Sequence, residues 1–388
     1  MATQTEHPFK FHGSGKEFFG IWIVNILLSI ITLGIYSAWA KVRTKRYFNG
    51  NTELAGHRFD YHALPMQILK GRIVVVVVLI VINLVAQLNP FLAIGVALFY
   101  MVALPWVIVR GLAFNANMTS YRNVRFHFSG TKWDAFWAYI LLPILAIVTL
   151  VGSFFLVAFV FLSGASGGLG LMIFISLLLT AVFVAVACIF FPLISRANAD
   201  FLGRGHSYGK SAFWIDPDLN EYRKAVFIII GLYLAALVVY GIGLGVLLGG
   251  DLSKLQQINQ GNGSGWLQVA LFVVSIPLYL VLVLATTIYS AYARNNNFNN
   301  LTLFDGHRFS STVKPVQLSW IVATNLILTI VTLTLYYPWA KVRLAKYLAD
   351  NTTMIAKGDL DGFVDEQGTA GGVASGEFLD IEGFDFGL

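Results

Sequence analysis

A mainly α-helical, polytopic membrane protein is the fold class predicted from three observations. Hydrophobic residues make up 57 % of the 388 positions and charged residues only 12 %, against about 25 % charged in ordinary soluble domains. Several apolar runs reach the roughly 20 residues needed to cross a hydrocarbon core. All but one of the basic residues lie in the tails or in the loops between alternate runs, as expected when positive charge fixes orientation.

The runs are eight, at about 20–37, 73–88, 90–109, 134–162, 168–194, 225–248, 266–290 and 317–337. Runs two to seven pair into three hairpins through short or Gly-rich links. Of the 26 Lys and Arg, only Lys254 falls in those links. The remaining bases lie in the tails and in the loops 41–72, 110–133, 195–224 and 291–316, which places every basic loop on the cytoplasmic side. The first and last runs then connect basic segments at both ends. Two arrangements answer this: both runs are re-entrant, giving six full spans and cytoplasmic termini, or all eight cross and both tails lie outside. Thr32-Leu33-Gly34-Ile35-Tyr36 interrupts the first run and Pro338 the last, which supports re-entry. No cleavable leader is expected at the polar N-terminus. The single cysteine, Cys188, excludes an internal disulfide.

An internal match organises the chain. Residues 21–52 align without a gap on 321–352, with about half the positions identical, including Trp-Ala-Lys-Val-Arg at 39–43 and 339–343. Within it, Asn25, Ser29, Thr32 and Tyr36 recur as Asn325, Thr329, Thr332 and Tyr336. Their spacing puts each set on one helical face. A polar stripe at membrane depth must face protein or water, so the stripes are read either as interhelical glue or as the lining of a central polar path. The bases that follow, Lys41, Arg43, Lys45 and Arg46 with Trp39, and Lys341, Arg343 and Lys346 with Trp339, form an aromatic and cationic collar suited to anionic lipid head groups.

Four loops, at 51–63, 117–130, 198–215 and 299–313, show a period of two around a turn and predict short cytoplasmic β-hairpins. Phe9, Phe11 and Gly13 suggest a further strand. Gly241, Gly245 and Gly249 have the spacing of close helix packing. His57, His206 and His307 mark equivalent turns but lack metal-ligand spacing. Residues 1–355 are read as one integral membrane domain and 356–388 as a flexible acidic tail.

The stretches Phe18–Asn25, Thr32–Phe48 and Asn51-Thr52, with Ile68-Leu69-Lys70-Gly71-Arg72, resemble the YjgN family of bacterial inner-membrane proteins; Ala38 stands where the family pattern more often has proline. The resemblance implies the cytoplasmic membrane and no known activity. No phosphate-binding loop, zinc-protease helix or serine-nucleophile motif is present, so neither enzymatic chemistry nor a cofactor or metal is expected. The short basic loops carry no nucleic-acid motif. Deep ionisable groups, which ion-coupled carriers need, are missing from the central runs. Passive movement of a small molecule or lipid is one reading. A non-transporting scaffold that recruits partners through its hairpins is the alternative. Membrane lipids are the expected partners, and self-association into a homo-oligomer stays open.

Overall fold

A computed structural model describes residues 4–162, 169–249, 265–303 and 306–371. Most of the described chain is helical, and six helices are long and apolar enough to cross a membrane.

The helices come in antiparallel pairs. α1 (Gly15–Ile31) turns back as α2 (Ser37–Gly50), and α3 (Pro65–Leu88) as α4 (Pro90–Asn117). A rod made of α5 (Lys132–Phe136), a π turn at Trp137–Leu141 and α6 (Leu142–Leu162) precedes α7 (Leu169–Gly205). α8 (Leu219–Leu248) and α9 (Gly265–Asn299) follow, then α10 (Pro315–Val331) and α11 (Tyr337–Asp350). Extensive helix contacts among the described residues run between neighbours in this order, and α1 also packs on α11. The helices therefore form a ring.

Strands join the pairs. β1 (Gln4–Pro8) and β2 (Lys10–Phe11) precede α1, and β3 (Thr52–Leu54) and β4 (His57–Tyr61) follow α2. β5 (Thr119–Tyr121) and β6 (Val124–Phe128), β7 (His206–Tyr208) and β8 (Ser211–Ile215), and β9 (Leu301–Leu303) and β10 (His307–Ser311) follow α4, α7 and α9; β11 (Thr352–Lys357) follows α11. All pairings are antiparallel, in the order β1-β11-β10-β9-β8-β7-β6-β5-β4-β3-β2. Only Phe9 separates β1 from β2, and its N–H donates to the Thr352 carbonyl at 2.9 Å. One bent N-terminal strand therefore pairs with both ends of the sheet and closes it.

Local chemistry explains the regularity. From the end of a strand to the start of the next helix there are three residues at five places, 12–14, 62–64, 129–131, 216–218 and 312–314, and two between β11 and the helix that begins at Leu360. From helix to strand there is at most one. At three of these exits a threonine hydroxyl, on Thr52, Thr119 or Thr352, donates to the carbonyl four residues back at 2.7–2.9 Å. This satisfies a carbonyl that the ending helix leaves without a partner. Of the three two-residue strand turns among the described residues, two have left-handed residues at both central positions, Ala55-Gly56 and Arg122-Asn123, and the third, Gly209-Lys210, at its glycine alone, which suits the twist of a two-residue hairpin.

The interior of the strand ring is filled. Phe9, Leu54, Phe59, Tyr121, Phe126, Tyr208, Phe213, Leu303, Phe309 and Met354 project into one cluster. α12 (Leu360–Gly371) completes it with Leu360, Phe363 and Val364. Arg122 pairs with Asp361, and the Lys210 N–H donates to Gln367 Oε1 at 2.9 Å. The acidic segment read as flexible from 356 onward is thus ordered to Gly371. Its Leu360, Phe363, Val364 and Gln367 lie on one helical face, an amphipathic stripe that the acidic composition concealed. Residues 372–388 lie outside the described residues, as does Lys254.

One packing expectation needs correcting. Gly241 and Gly245 have open space where a Cβ would stand, and Gly249 ends α8 in a left-handed conformation. The close approach is at Gly243, whose Cβ would come 2.8 Å from Val274 Cγ1 on α9. The spacing pointed to the right helix but to the wrong glycines.

Candidate functional site

The end hairpins, α1–α2 and α10–α11, have the same bounds shifted by 300 residues. In the first, Thr32 Oγ1 donates to the Leu28 carbonyl at 2.7 Å and accepts from the Tyr36 N–H at 2.9 Å. Thr332 does the same with Leu328 and Tyr336, at 2.7 and 3.0 Å. Leu33 and Gly34, and Leu333 and Thr334, turn through positive φ. Tyr36 stacks on Trp39 at 6.0 Å, and Tyr336 on Trp339 at 6.2 Å. Four of the stripe residues therefore build turns.

The collar divides by partner. Arg43 Nη1 donates to Tyr36 Oη at 3.0 Å and Asn25 Oδ1 at 3.4 Å, binding α2 to α1. Arg343 Nη1 donates to Thr324 Oγ1 at 2.9 Å and Asn325 Oδ1 at 3.3 Å. Arg46 donates to the carbonyls of Tyr61 and Ala63. These arginines hold the frame together. Trp39 packs among Ala38, Val42 and Ile68, and Lys346 is exposed.

The three remaining lysines meet at one cleft, where Lys45 Nζ also donates to Asn115 Oδ1 on α4 and lies 5.1 Å from the Tyr61 ring. A cleft of about 660 Å³ opens between α1, α2 and α11, and Lys41, Lys45 and Lys341 line it together with Asn25, Ser29, Ser37 and Thr44. Phe18, Trp22, Ile26, Ile30 and Tyr337 supply its apolar walls. Lys341 Nζ stands 5.1 Å from the Phe48 ring and 5.8 Å from that of Phe18, close enough for cation–π attraction. Arg72 of α3 donates to Ser37 Oγ at the cleft wall. Among the described residues, none that lines the cleft is acidic.

The cleft lies at the seam where the ends of the chain meet. Phe19 packs on Trp339 with ring centroids 5.1 Å apart, and Trp22 on Tyr337 at 6.1 Å. Gly15 is required here, since a Cβ would fall 2.3 Å from Trp339 Cδ1.

The second polar stripe is elsewhere. Asn325 Nδ2 donates to the Ala340 carbonyl at 3.1 Å, and Thr329 Oγ1 donates to the Asn325 carbonyl at 2.7 Å. Asn325 and Thr329 are not brought into the cleft that holds Asn25 and Ser29. The three histidines do not mark equivalent turns: His206 opens β7 directly after α7, with its strand turn further on at Gly209-Lys210, and its Nδ1 is 2.6 Å from the Leu202 carbonyl, while His307 is buried beneath Phe363. Sequence reasoning missed Ser37 and Thr44, although Ser37, Lys41, Thr44 and Lys45 share one face of α2. It missed Phe18 and Trp22 as well, which continue the Asn25 and Ser29 face of α1.

Residues 6–381 match a family described as bacterial proteins of unknown function (DUF898). The inner membrane protein YjgN of Salmonella typhimurium is 30 % identical over 363 residues, 92 % of this chain and 89 % of that protein. Its namesake in Escherichia coli O157:H7 is 28 % identical over 368 residues, with the same coverage. No solved structure matches the chain. Match and relatives extend across both end hairpins and the helices between them, and this multi-pass membrane protein belongs to the YjgN (DUF898) family.

Proposed function

We propose that this protein sits in the bacterial inner membrane with its strand ring and both termini in the cytoplasm, and handles a lipid or another amphiphile within its helix ring. In this reading six helices cross the bilayer and the end hairpins enter one leaflet and return. Lengths support it. α1 has 17 residues, about 25 Å at 1.5 Å per residue, and α2 leads straight back to the strand ring. The apolar tips are bare, with Leu33 95 % and Leu333 84 % exposed, as suits side chains in hydrocarbon. The basic positions begin one turn behind the tips, at head-group depth.

One observation carries the functional part. In the most apolar stretch of each long helix only 6–17 % of residues are buried. A bundle with a packed centre covers one face of every helix, whereas a ring of neighbours covers only the flanks. Apolar side chains then face inward as well as outward, and an apolar interior suits acyl chains rather than ions or sugars. With no ionisable group deep in the central helices, movement would be passive and the protein would act without catalysis.

Reconstitution into liposomes with lipids labelled in both leaflets tests this. The expected result is protein-dependent exposure of inner-leaflet label to a membrane-impermeant quencher. Full protection of that label, with correct insertion, would contradict it and favour the scaffold reading.

A further inference from the structure

We propose that the seam cleft is a binding site for the head group of an anionic phospholipid. The proposal rests on the reading that the hairpin tips enter the bilayer, and it names which lipid chemistry docks there. Three lysines from both end hairpins converge on one cleft, with hydroxyls from Ser29, Ser37 and Thr44 beside them. Three ammonium groups, each with three N–H donors of which Lys45 gives one to Asn115, stand with the Ser29 and Thr44 hydroxyls and no carboxylate among the described lining residues, while Ser37 donates to the Gly34 carbonyl; such a surface calls for an anion with several acceptor oxygens. A phosphodiester with its glycerol fits, and the volume is within the range of small-molecule sites.

The wall argues for a lipid over a free ion. Below the lysines the cleft continues along Ile26 and Ile30, and Ile30 is 67 % exposed towards the tip. An acyl chain leaving the head group would run down this face into the bilayer. Trp22 and Tyr337 stand at the level where indole and phenol rings favour the interface. The seam is special because only there does the first hairpin meet the last. Within the second hairpin, the amide of Asn325 is turned to the Ala340 carbonyl instead.

The test uses the full chain in neutral detergent, titrated calorimetrically with short-chain phosphatidylglycerol, short-chain phosphatidylcholine and inorganic phosphate. One phosphatidylglycerol per chain is expected, with phosphatidylcholine and inorganic phosphate at least about tenfold weaker, since the first lacks net negative charge and the second lacks acyl chains. Replacing Lys41, Lys45 and Lys341 together by Gln should weaken binding roughly a hundredfold, about fivefold for each charge. Ser29→Leu, which fills the cleft without changing charge, should also weaken it. Lys346→Gln, a single charge loss outside the cleft to set beside Lys341→Gln, should leave it within about twofold. Should the triple variant not fold, Lys341→Gln combined with Ser29→Leu is titrated in its place and should bind more weakly than Lys346→Gln. Equal binding of both lipids, phosphate binding as tightly as phosphatidylglycerol, or equal loss from Lys346→Gln and Lys341→Gln would each overturn the proposal. Binding without liposome activity would remove the lipid-movement reading and leave this site standing.

Discussion

The two end hairpins share a backbone and differ in what surrounds them. Both turn on a threonine that bonds the carbonyl four residues back, both hold an arginine against an asparagine, and both stack tyrosine on tryptophan. Yet the first leans α1 on the last helix of the second hairpin, while α10 leans on α9. Asn25 therefore lines a cleft and Asn325 closes its own hairpin. The difference shows that local sequence fixes the hairpin, whereas position in the ring decides which of its polar groups line a cleft.

Removing what creates the seam challenges this contrast most severely. Deleting residues 4–11 takes away the strand that pairs with both β11 and β3. Two sheet edges and the interior around Phe9 would be opened together, so loss of folded monomer in detergent chromatography is expected, with the long helices still inserted. An intact melting transition would mean that ring closure is unimportant.

Asparagine exchange is the next largest effect. Asn325 is 8 % exposed and gives and receives hydrogen bonds. Asn325→Leu should cost about 1–3 kcal/mol, the usual result of leaving buried partners unsatisfied. Asn25 is as buried, at 5 % exposed, but receives one long bond from Arg43, at 3.4 Å, so on bonding alone Asn25→Leu should cost less than about 1 kcal/mol. Thermal unfolding of the two variants compares them, and equal losses would erase the distinction drawn between the hairpins.

The turns supply a smaller contrast. Gly34 has φ +90°, while Thr334 sits at φ +73°, where a β-branched residue is strained. Thr334→Gly should stabilise by about 1 kcal/mol, and Gly34→Thr should destabilise by a similar amount. Effects of the same sign would show that the two turns are not equivalent in energy.

Acid should act on the strand ring and spare the hairpins. Burial holds His206 and His127 below the usual histidine range. A histidine whose folded pKa is depressed takes up protons more readily when unfolded. Its contribution is therefore complete above about pH 6.5 and declines as the pH falls below that. The Arg122 guanidinium lowers Asp361, so that pair weakens only further down, below about pH 3.9. Melting should be flat from pH 8 to 7 and decline towards pH 5, less so in His127→Gln, His206→Gln double variants. Tryptophan fluorescence on a pH series measures it; a decline that ignores both substitutions would remove this explanation.

Much of the scaffold was legible because it is written in short-range chemistry. The apolar runs, the Asn-Thr exits and the alternating residues around Gly56 and Gly306 each state a local preference, and the 300-residue match singled out the hairpins, whereas Gly205, read as a turn, ends α7 and the turn is at Gly209. Closure was not legible, since Gln4–Phe11 is a modest strand whose partners lie some 40 and 350 residues away. α12 was hidden by averaging, because acidic residues outweigh Leu360, Phe363 and Val364 in composition although not in geometry. The cleft was half legible. The collar named Lys41, Lys45 and Lys341, but sequence alone could not show that these three line one cleft while Arg43, Arg46 and Arg343 bond within the frame.

Function in this reading depends on both end hairpins leaving the strand ring and returning to it on one side of the membrane. Cysteines introduced singly for Lys10, Glu53, Lys210 and Lys357 in a Cys188→Ala background can be labelled with an impermeant maleimide. All four should react in inside-out vesicles and be protected in intact spheroplasts. Reaction of Lys10→Cys and Glu53→Cys from opposite faces would put α1 or α2 across the bilayer and contradict the one-sided arrangement.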